Sequence, residues 1–260
     1  MSLLNVGAKF TSPLNMNKNY IIKKFDEIDS TNDYLQRFLY SNECNVNKEY
    51  IIIAKSQTNG HGSKGRFFIS EKDKGIYFSI LLHYDKQLLI DENIDINDFV
   101  SYLTPNVCVS LKRNLNNVFH KDLDIKWVND LYYNNKKVIG ILCKHYPNKN
   151  AIIIGIGIDL YKNDNLPFEL KDKVGYIFDK QVDDKDLDCF ITELANDINN
   201  NLYKGSIDNT YFENNLAINK KVKINDQLGK VVSINKKGHL MVEIDGAVKE
   251  IDSVDAEIIM

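Results

Sequence analysis

The sequence predicts an α+β protein: a mixed or antiparallel sheet with helices on one face, followed by a small C-terminal β-barrel. Three observations carry this. Apolar, β-branched strings at 20–25, 50–54, 75–82 and 151–158 are separated by segments with helical spacing. A hairpin pattern, 131–133 and 138–143 around Asn134-Asn135-Lys136, interrupts the strand–helix alternation that an all-parallel sheet would need. From about Lys220 the texture changes to short strands at 222–224, 229–234, 240–244 and 247–251, broken by Asn-Asp, Lys-Gly and Asp-Gly turns.

Each element has its own signal. After the first strand, Ile28-Asp29-Ser30-Thr31-Asn32 offers Ser30 or Thr31 as the cap of a helix with apolar positions Tyr34, Leu35, Phe38 and Leu39. The continuous apolar strand 50–54 runs into a glycine-rich loop, and 75–82 forms the next strand. Residues 99–119 have helical spacing at Leu103, Val107, Leu111 and Leu115, and Pro105 places the helix start near Thr104. Residues 187–202 predict a helix, and 208–216 a shorter one. The domain boundary falls at about 215–219.

The bulk properties exclude several classes. In 260 residues, 33 basic side chains face 36 acidic ones for a formal net charge of -3, which disfavours duplex nucleic-acid binding held mainly by charge. A composition with 43% hydrophobic and 27% charged residues is that of a globular protein, not a disordered chain. No apolar run approaches the roughly 18 residues of a membrane span. The first nineteen residues lack the apolar core of a secretory signal and read as a disordered tail, with an organellar presequence left open. Cys44, Cys108, Cys143 and Cys189 show no metal-ligand spacing, so the expectation is reduced thiols and a cytoplasmic protein.

Four segments bear chemistry. Gly60, Gly62 and Gly65 let a backbone approach a ligand, and Lys64 and Arg66 add charge for an anion, although a surface hairpin loop reads the same way. The segment Lys126-Trp127-Val128-Asn129-Asp130-Leu131 holds the chain's single Trp. Its Asn-Asp pair costs free energy unless it is hydrogen-bonded or binds something, and a capped turn would satisfy it too. Lys137 opens an apolar strand, either as a solvated end or as an ammonium aimed at a carboxylate or phosphate. Gly140 within that strand hints at close approach by a ligand. Gly155-Ile156-Gly157-Ile158-Asp159 fits a bulge or a ligand-facing bend.

In combination these segments are specific. IDSTN, a strand bearing Gln57 and GHGSKGR, KWVNDL with KKVIGIL, and GIGID resemble the biotin protein ligase family over about residues 20–260. The resemblance implies a class II synthetase-like catalytic domain at 20–217 and an SH3-like barrel at 218–260. It further implies a C–N ligase that forms biotinyl-5′-AMP from biotin and Mg²⁺-ATP, then transfers biotin to one lysine of a biotin carboxyl carrier domain of a biotin-dependent carboxylase. Ser30, Thr31, Asn32 and Gln57 would hold the ureido ring, with Gly140 and Leu142 lining the biotin slot. Gly60, His61, Gly62 and Ser63 would fold over biotin, and Lys64 and Arg66 over the adenylate phosphate. Lys137 would meet the biotin carboxylate and α-phosphate, and Phe68 would pack on adenine. Lys126, Trp127, Asn129, Asp130 and Asp159 would lie on the nucleotide side. Lys137, Arg66 and Asp130 would carry the chemistry.

The chain departs from the family pattern in ways that matter. The family loop is usually GRGRxGR, so His61 and Ser63 replace two permanently charged, forked donors, and weaker retention of the adenylate is expected. Val128 replaces a Pro, and Asp159 an Asn. A carboxylate there would repel phosphates unless it meets Mg²⁺. Nineteen residues before the first strand are too few for the winged helix-turn-helix of repressor members, so a ligase without DNA binding is expected, with a homodimer common in the family. A lipoate or octanoate ligase or transferase is the sister reading, and a biotin-binding regulator without turnover is a third.

Overall fold

The computed structural model describes residues 20–213, 215–224, 227–252 and 256–259, together with all side chains in them except that of Lys64. The expected tail, 1–19, lies outside the described residues. The main sheet has seven strands: β1 (Tyr20–Phe25), β2 (Glu49–Ala54), β3 (Gly75–His83), β4 (Asp124–Lys126), β5 (Asp130–Tyr133), β6 (Lys136–Tyr146) and β7 (Ala151–Asp159). Their spatial order is β1-β2-β3-β7-β6-β5-β4. β1 and β2 are parallel and every other pairing is antiparallel, the mixed sheet that the hairpin pattern predicts. Among the described residues five helices accompany it: α1 (Thr31–Leu39), α2 (Lys86–Asp91), α3 (Ile96–Phe119), α4 (Phe168–Lys171) and α5 (Asp184–Asn200).

β7 shows how the sequence divides the two faces. Successive side chains point to opposite sides of a strand. Ile152, Ile154, Ile156 and Ile158 enter the large core beneath α3 and α5, and Ala151 and Ile153 join Leu35 and Leu39 of α1 on the other side. The long helices therefore share one face, and α1 covers part of the opposite one. Beyond Ile153 that second row becomes Gly155 and Gly157, and the sheet face opens into a cleft. Both glycines keep regular register with β3 and β6, so the bulge that the sequence suggests does not form.

Two other expectations are corrected. α3 starts eight residues before Thr104, because the Asp95 carboxylate accepts from the backbone N–H groups of Asn97 and Asp98 and so caps the helix there. Pro105 sits inside the helix, where it removes one hydrogen bond of a long, well-buried element. In place of a helix over 208–216 there is a single 3-10 turn, Asn209–Tyr211. The Asn215 side chain explains the stop: its Oδ1 accepts from the backbone N–H groups of Trp127 and Ala217, bonds that a continued helix would not permit.

A second, five-stranded antiparallel sheet stands where the sequence predicts the small barrel. It comprises β8 (Lys221–Ile224), β9 (Gln227–Ile234), β10 (Leu240–Ile244), β11 (Ala247–Ile251) and β12 (Ala256–Ile259), in the order β11-β10-β9-β8-β12. Val222, Ile224, Val231, Leu240, Val242 and Ile244 fill its inner face. The turn between β9 and β10 seats on the main sheet. The Trp127 indole N–H donates to Gly238 O at 2.7 Å, and Lys237 pairs with Asp98 of α3 at 3.4 Å. Among the described residues no helix is long and apolar enough to cross a membrane.

Candidate functional site

The cleft over Gly155 and Gly157 is open on one side, has a cavity volume of about 150 Å³, and gathers residues from every segment that the sequence singles out. Its walls are the β1–α1 turn, the strand exit after β2, the glycine loop, β3, β6 and β7. Ser30, Thr31, Asn32, Gln57, His61, Gly62, Ser63, Arg66, Phe68, Asn129, Lys137, Gly140 and Leu142 all line it. Gly60 lies just behind, where an added Cβ would come within 2.6 Å of Ser70 Oγ and 2.7 Å of Phe68 O.

One end of the cleft is a polar network. Gln57 Oε1 accepts from the Thr31 backbone N–H at 2.9 Å and from Thr31 Oγ1 at 3.2 Å, and Thr31 Oγ1 lies 2.8 Å from Ser79 Oγ. Gln57 Nε2 donates to Ser70 Oγ at 2.8 Å, which fixes the amide orientation. Asn32 Nδ2 reaches Leu142 O at 3.5 Å, and its Oδ1 is buried with no hydrogen-bond partner among the described residues. A buried acceptor left unpaired is costly unless a ligand donor completes it. Ser30 does a different job: its hydroxyl accepts from Asp33 N and caps α1.

The floor is built from absent side chains. The Phe68 ring lies flat against β6 and β7, so a Cβ on Gly157 would sit 2.5 Å from Phe68 Cε1, and one on Gly140 2.9 Å from Phe68 Cε2. A Cβ on Gly155 would overlap Asn32 Nδ2. Phe68 also meets Tyr77 edge to face at 6.3 Å.

The other end is cationic. Lys137 Nζ pairs with Asp130 Oδ1 at 2.6 Å, and Arg66 faces the same space. Asp159, two residues along β7 from Gly157 and on the same face, has its carboxyl pushed up to about 7 by burial, against the opposing pull of Lys137. Lys126 stands beside this group, its ammonium 3.3 Å from Tyr132 OH, and burial lowers its pKa.

Not every expected residue converges here. Trp127 is buried and spends its N–H on Gly238, so it joins the two sheets and borders a neighbouring cleft instead. Lys126, Asp130 and Asp159 stand behind the lining. Asn129 extends β6 pairing past the end of β5: its N–H₂ donates to Ile141 O at 2.7 Å and its backbone O accepts from Ile141 N at 3.0 Å. The Lys64 side chain lies outside the described residues. Sequence reasoning missed Ser79, Phe67 and Ile141 in the lining; of its two readings of Gly155-Ile156-Gly157, a bulge or a ligand-facing bend, the lining agrees with the ligand-facing one. Ser79 was findable as the one small polar residue in an otherwise apolar strand, whereas exposed Phe67 has no such signal.

The sequence model of the Biotin/lipoate A/B protein ligase family matches residues 25–160, which carry all of this cleft. The chain belongs to that family. The Bifunctional ligase/repressor BirA of Bacillus spizizenii is 32% identical over 126 residues, 47% of this chain and 36% of that protein. The chain thus matches little more than a third of that relative's length. Among solved structures, the biotin protein ligase from Aquifex aeolicus in complex with biotin and ATP superposes with a TM-score of 0.69 at 24% identity, covering 91% of this chain and 97% of that one. The Helicobacter pylori biotin acetyl coenzyme A carboxylase synthetase superposes at 0.57 with 22% identity, covering 88% and 98%. These two likenesses establish the shared fold across both sheets.

Proposed function

We propose that the chain is an ATP-dependent biotin protein ligase that forms biotinyl-5′-AMP and passes biotin to a lysine of a biotin carboxyl carrier domain. The observation that carries this reading is the polarity of the cleft. A buried amide-and-hydroxyl end leads over a glycine floor to a cationic end. A bicyclic urea with an apolar tail and a terminal carboxylate has that same order of groups, and the unpaired Asn32 Oδ1 suits a ureido N–H.

In the first step a carboxylate oxygen attacks the α-phosphorus of ATP and pyrophosphate leaves. The attack brings two anions together, so the side chains must align them and neutralise the developing charge. Lys137 and Arg66, which both line the cleft, would do this. In the substrate-free protein the Lys137 ammonium is held by Asp130, so the incoming anions exchange with that carboxylate. Mg²⁺ would arrive with ATP as part of the nucleotide substrate. Among the described residues no group of three or more His, Cys, Asp or Glu side chains gathers as a resident metal site. In the second step the carrier lysine attacks the acyl carbon, the C–N bond forms and AMP departs. Asp130, released from Lys137, takes the proton that the amine gives up.

ATP–pyrophosphate exchange with biotin, lipoate and octanoate in separate reactions tests the reading. Exchange with biotin alone supports it, and labelling of a carrier domain then completes it. Exchange with lipoate or octanoate alone moves the chain to the sister activity. Biotin binding without exchange makes it a binder.

A further inference from the structure

The glycine loop is a small hairpin with its own ladder. Gly62 N donates to Arg66 O at 2.8 Å, Phe68 N donates to Gly60 O at 2.9 Å, and His61 bridges Phe67. His61 stands at the base of the hairpin, and both of its ring nitrogens are engaged with the protein. Nδ1 lies 3.2 Å from Asn59 O, and Nε2 lies 3.4 Å from Asp33 Oδ1. Both neighbours are acceptors, so both contacts hold together only when the imidazole carries its second proton; the side chain also lines the cleft.

Asp33 is a fixed post. It sits in the first turn of α1, its own backbone N–H donates to the Ser30 cap, and the helix is locked by fully buried Leu35. The same Oδ1 also receives Lys144 Nζ from β6 at 3.5 Å. One carboxylate therefore ties hairpin, helix and sheet together beside the polar end of the cleft, where Asn32 meets Leu142 O. All three side chains are three-quarters or so removed from solvent, at 24%, 26% and 30% exposed, so the ties are less screened than open surface pairs.

We propose that His61 is a positioning residue: its imidazole moors the glycine hairpin to Asp33, and this mooring, shared with Lys144, sets how often the cleft opens to admit and release the acid substrate. The idea rests on the functional reading above for the nature of that substrate, but not for the mooring itself. A mooring of this kind predicts coupling between His61 and Asp33. It also predicts that a longer cation at position 61 serves only while Asp33 is present.

The test uses the full chain and two readouts. Amide hydrogen exchange over residues 60–68 without ligand reports hairpin opening, and biotin release and the KM for biotin report its consequence. Removing one partly screened contact worth about 1 kcal/mol, an ion pair when the imidazole is protonated, corresponds to about a fivefold change. His61→Ala and Asp33→Ala are each expected to speed exchange over 60–68 by about that factor, to speed biotin release likewise, and to raise KM more than they lower kcat. The double variant is expected to be no faster than either single one. His61→Arg is expected to keep slow exchange, and to lose it when combined with Asp33→Ala. Asp33→Asn, which keeps the side-chain shape at the helix start, is expected to behave as Asp33→Ala. Additive single effects, or an Asp33→Ala protein with unchanged exchange over 60–68, would overturn the proposal. So would weak biotin binding in His61→Ala with hairpin exchange unaltered, since that marks a direct ligand contact. If the wild-type protein binds no biotin, the functional reading falls while the exchange measurements still decide the mooring.

Discussion

Replacing Asp159 by Asn tests whether the cleft stores an ionisation cost. Burial raises the Asp159 carboxyl from 3.8 to about 7, and Lys137 only partly opposes this. The folded protein thus keeps this proton over a pH range in which the unfolded chain has lost it. Asp159 contributes its full share of stability below its unfolded value, and that share is lost as pH rises through the folded value. The shift of about three units, at 1.36 kcal/mol each, bounds the cost of the ionised form near about 4 kcal/mol above pH 7. Asn keeps the shape and removes the charge. Its stabilising effect should therefore be larger at pH 8 than at pH 5.5 by about 2 kcal/mol, the value of about one and a half units. For a chain of this size that is a difference of about 4–8 °C in Tm shift between the two conditions. Paired thermal or urea denaturation of both proteins at the two pH values measures it. An equal shift at both, or a loss of stability that grows with pH, would refute the reasoning by showing that the native carboxylate is solvated or firmly paired.

Lys137→Ala should lower biotin-dependent pyrophosphate exchange by at least about 100-fold, the usual cost of removing one preorganised donor from a developing charge, with thermal stability little changed. Asp130→Asn should leave exchange largely intact while slowing labelling of a carrier domain by about 100-fold, and raising the pH should recover part of the loss because more of the attacking lysine is then free amine. Equal losses in both steps would remove Asp130 from the second one. Ser63→Arg restores a forked cation to the hairpin and should cut the biotinylation of bystander proteins by released adenylate, read by blotting after incubation with biotin and ATP. Trp127→Phe leaves Gly238 O without its donor and should cost about 1–3 kcal/mol in urea denaturation.

What was legible in the sequence was what depends on near neighbours. The cap of α1 at Ser30 or Thr31, the Asn134-Asn135 turn and the apolar strand at 151–158 are all decided within a few residues, and the structure contains each of them, with Ser30 as the cap. The order of motifs likewise located the walls of the cleft. What was not legible depends on distant pairing. Nothing near Trp127 in the sequence shows that Gly238, 111 residues away, accepts its N–H. The helix over 208–216 fails because Asn215 is claimed by Trp127, 88 residues away. β4 and β12 are too short, at three and four residues, to show a period, and they exist because neighbouring strands offer them an edge. His61 was read as a ligand contact by analogy with an arginine. The structure keeps His61 in the lining and adds a neighbour that the sequence does not show, Asp33 at 3.4 Å.

The same locality explains how one strand can serve two masters. β7 must be continuous to hold the middle of the sheet, and it must also vanish from one face to seat Asn32 and Phe68 at the bottom of the cleft. A bulge would have made room by breaking the ladder to β3 or β6 and costing backbone hydrogen bonds in the core. Glycine at alternate positions makes room without touching the ladder, since the missing Cβ atoms all lie on one side while Ile154, Ile156 and Ile158 stay packed on the other. The price is exact steric dependence on what lies above: Asn32 over Gly155 and Phe68 over Gly157 leave no space for even a methyl group. The chain's glycine pattern is thus tied to its own Phe68 and Asn32, and an alanine at position 157 would have to move the aromatic ring that floors the cleft before it disturbed the sheet at all.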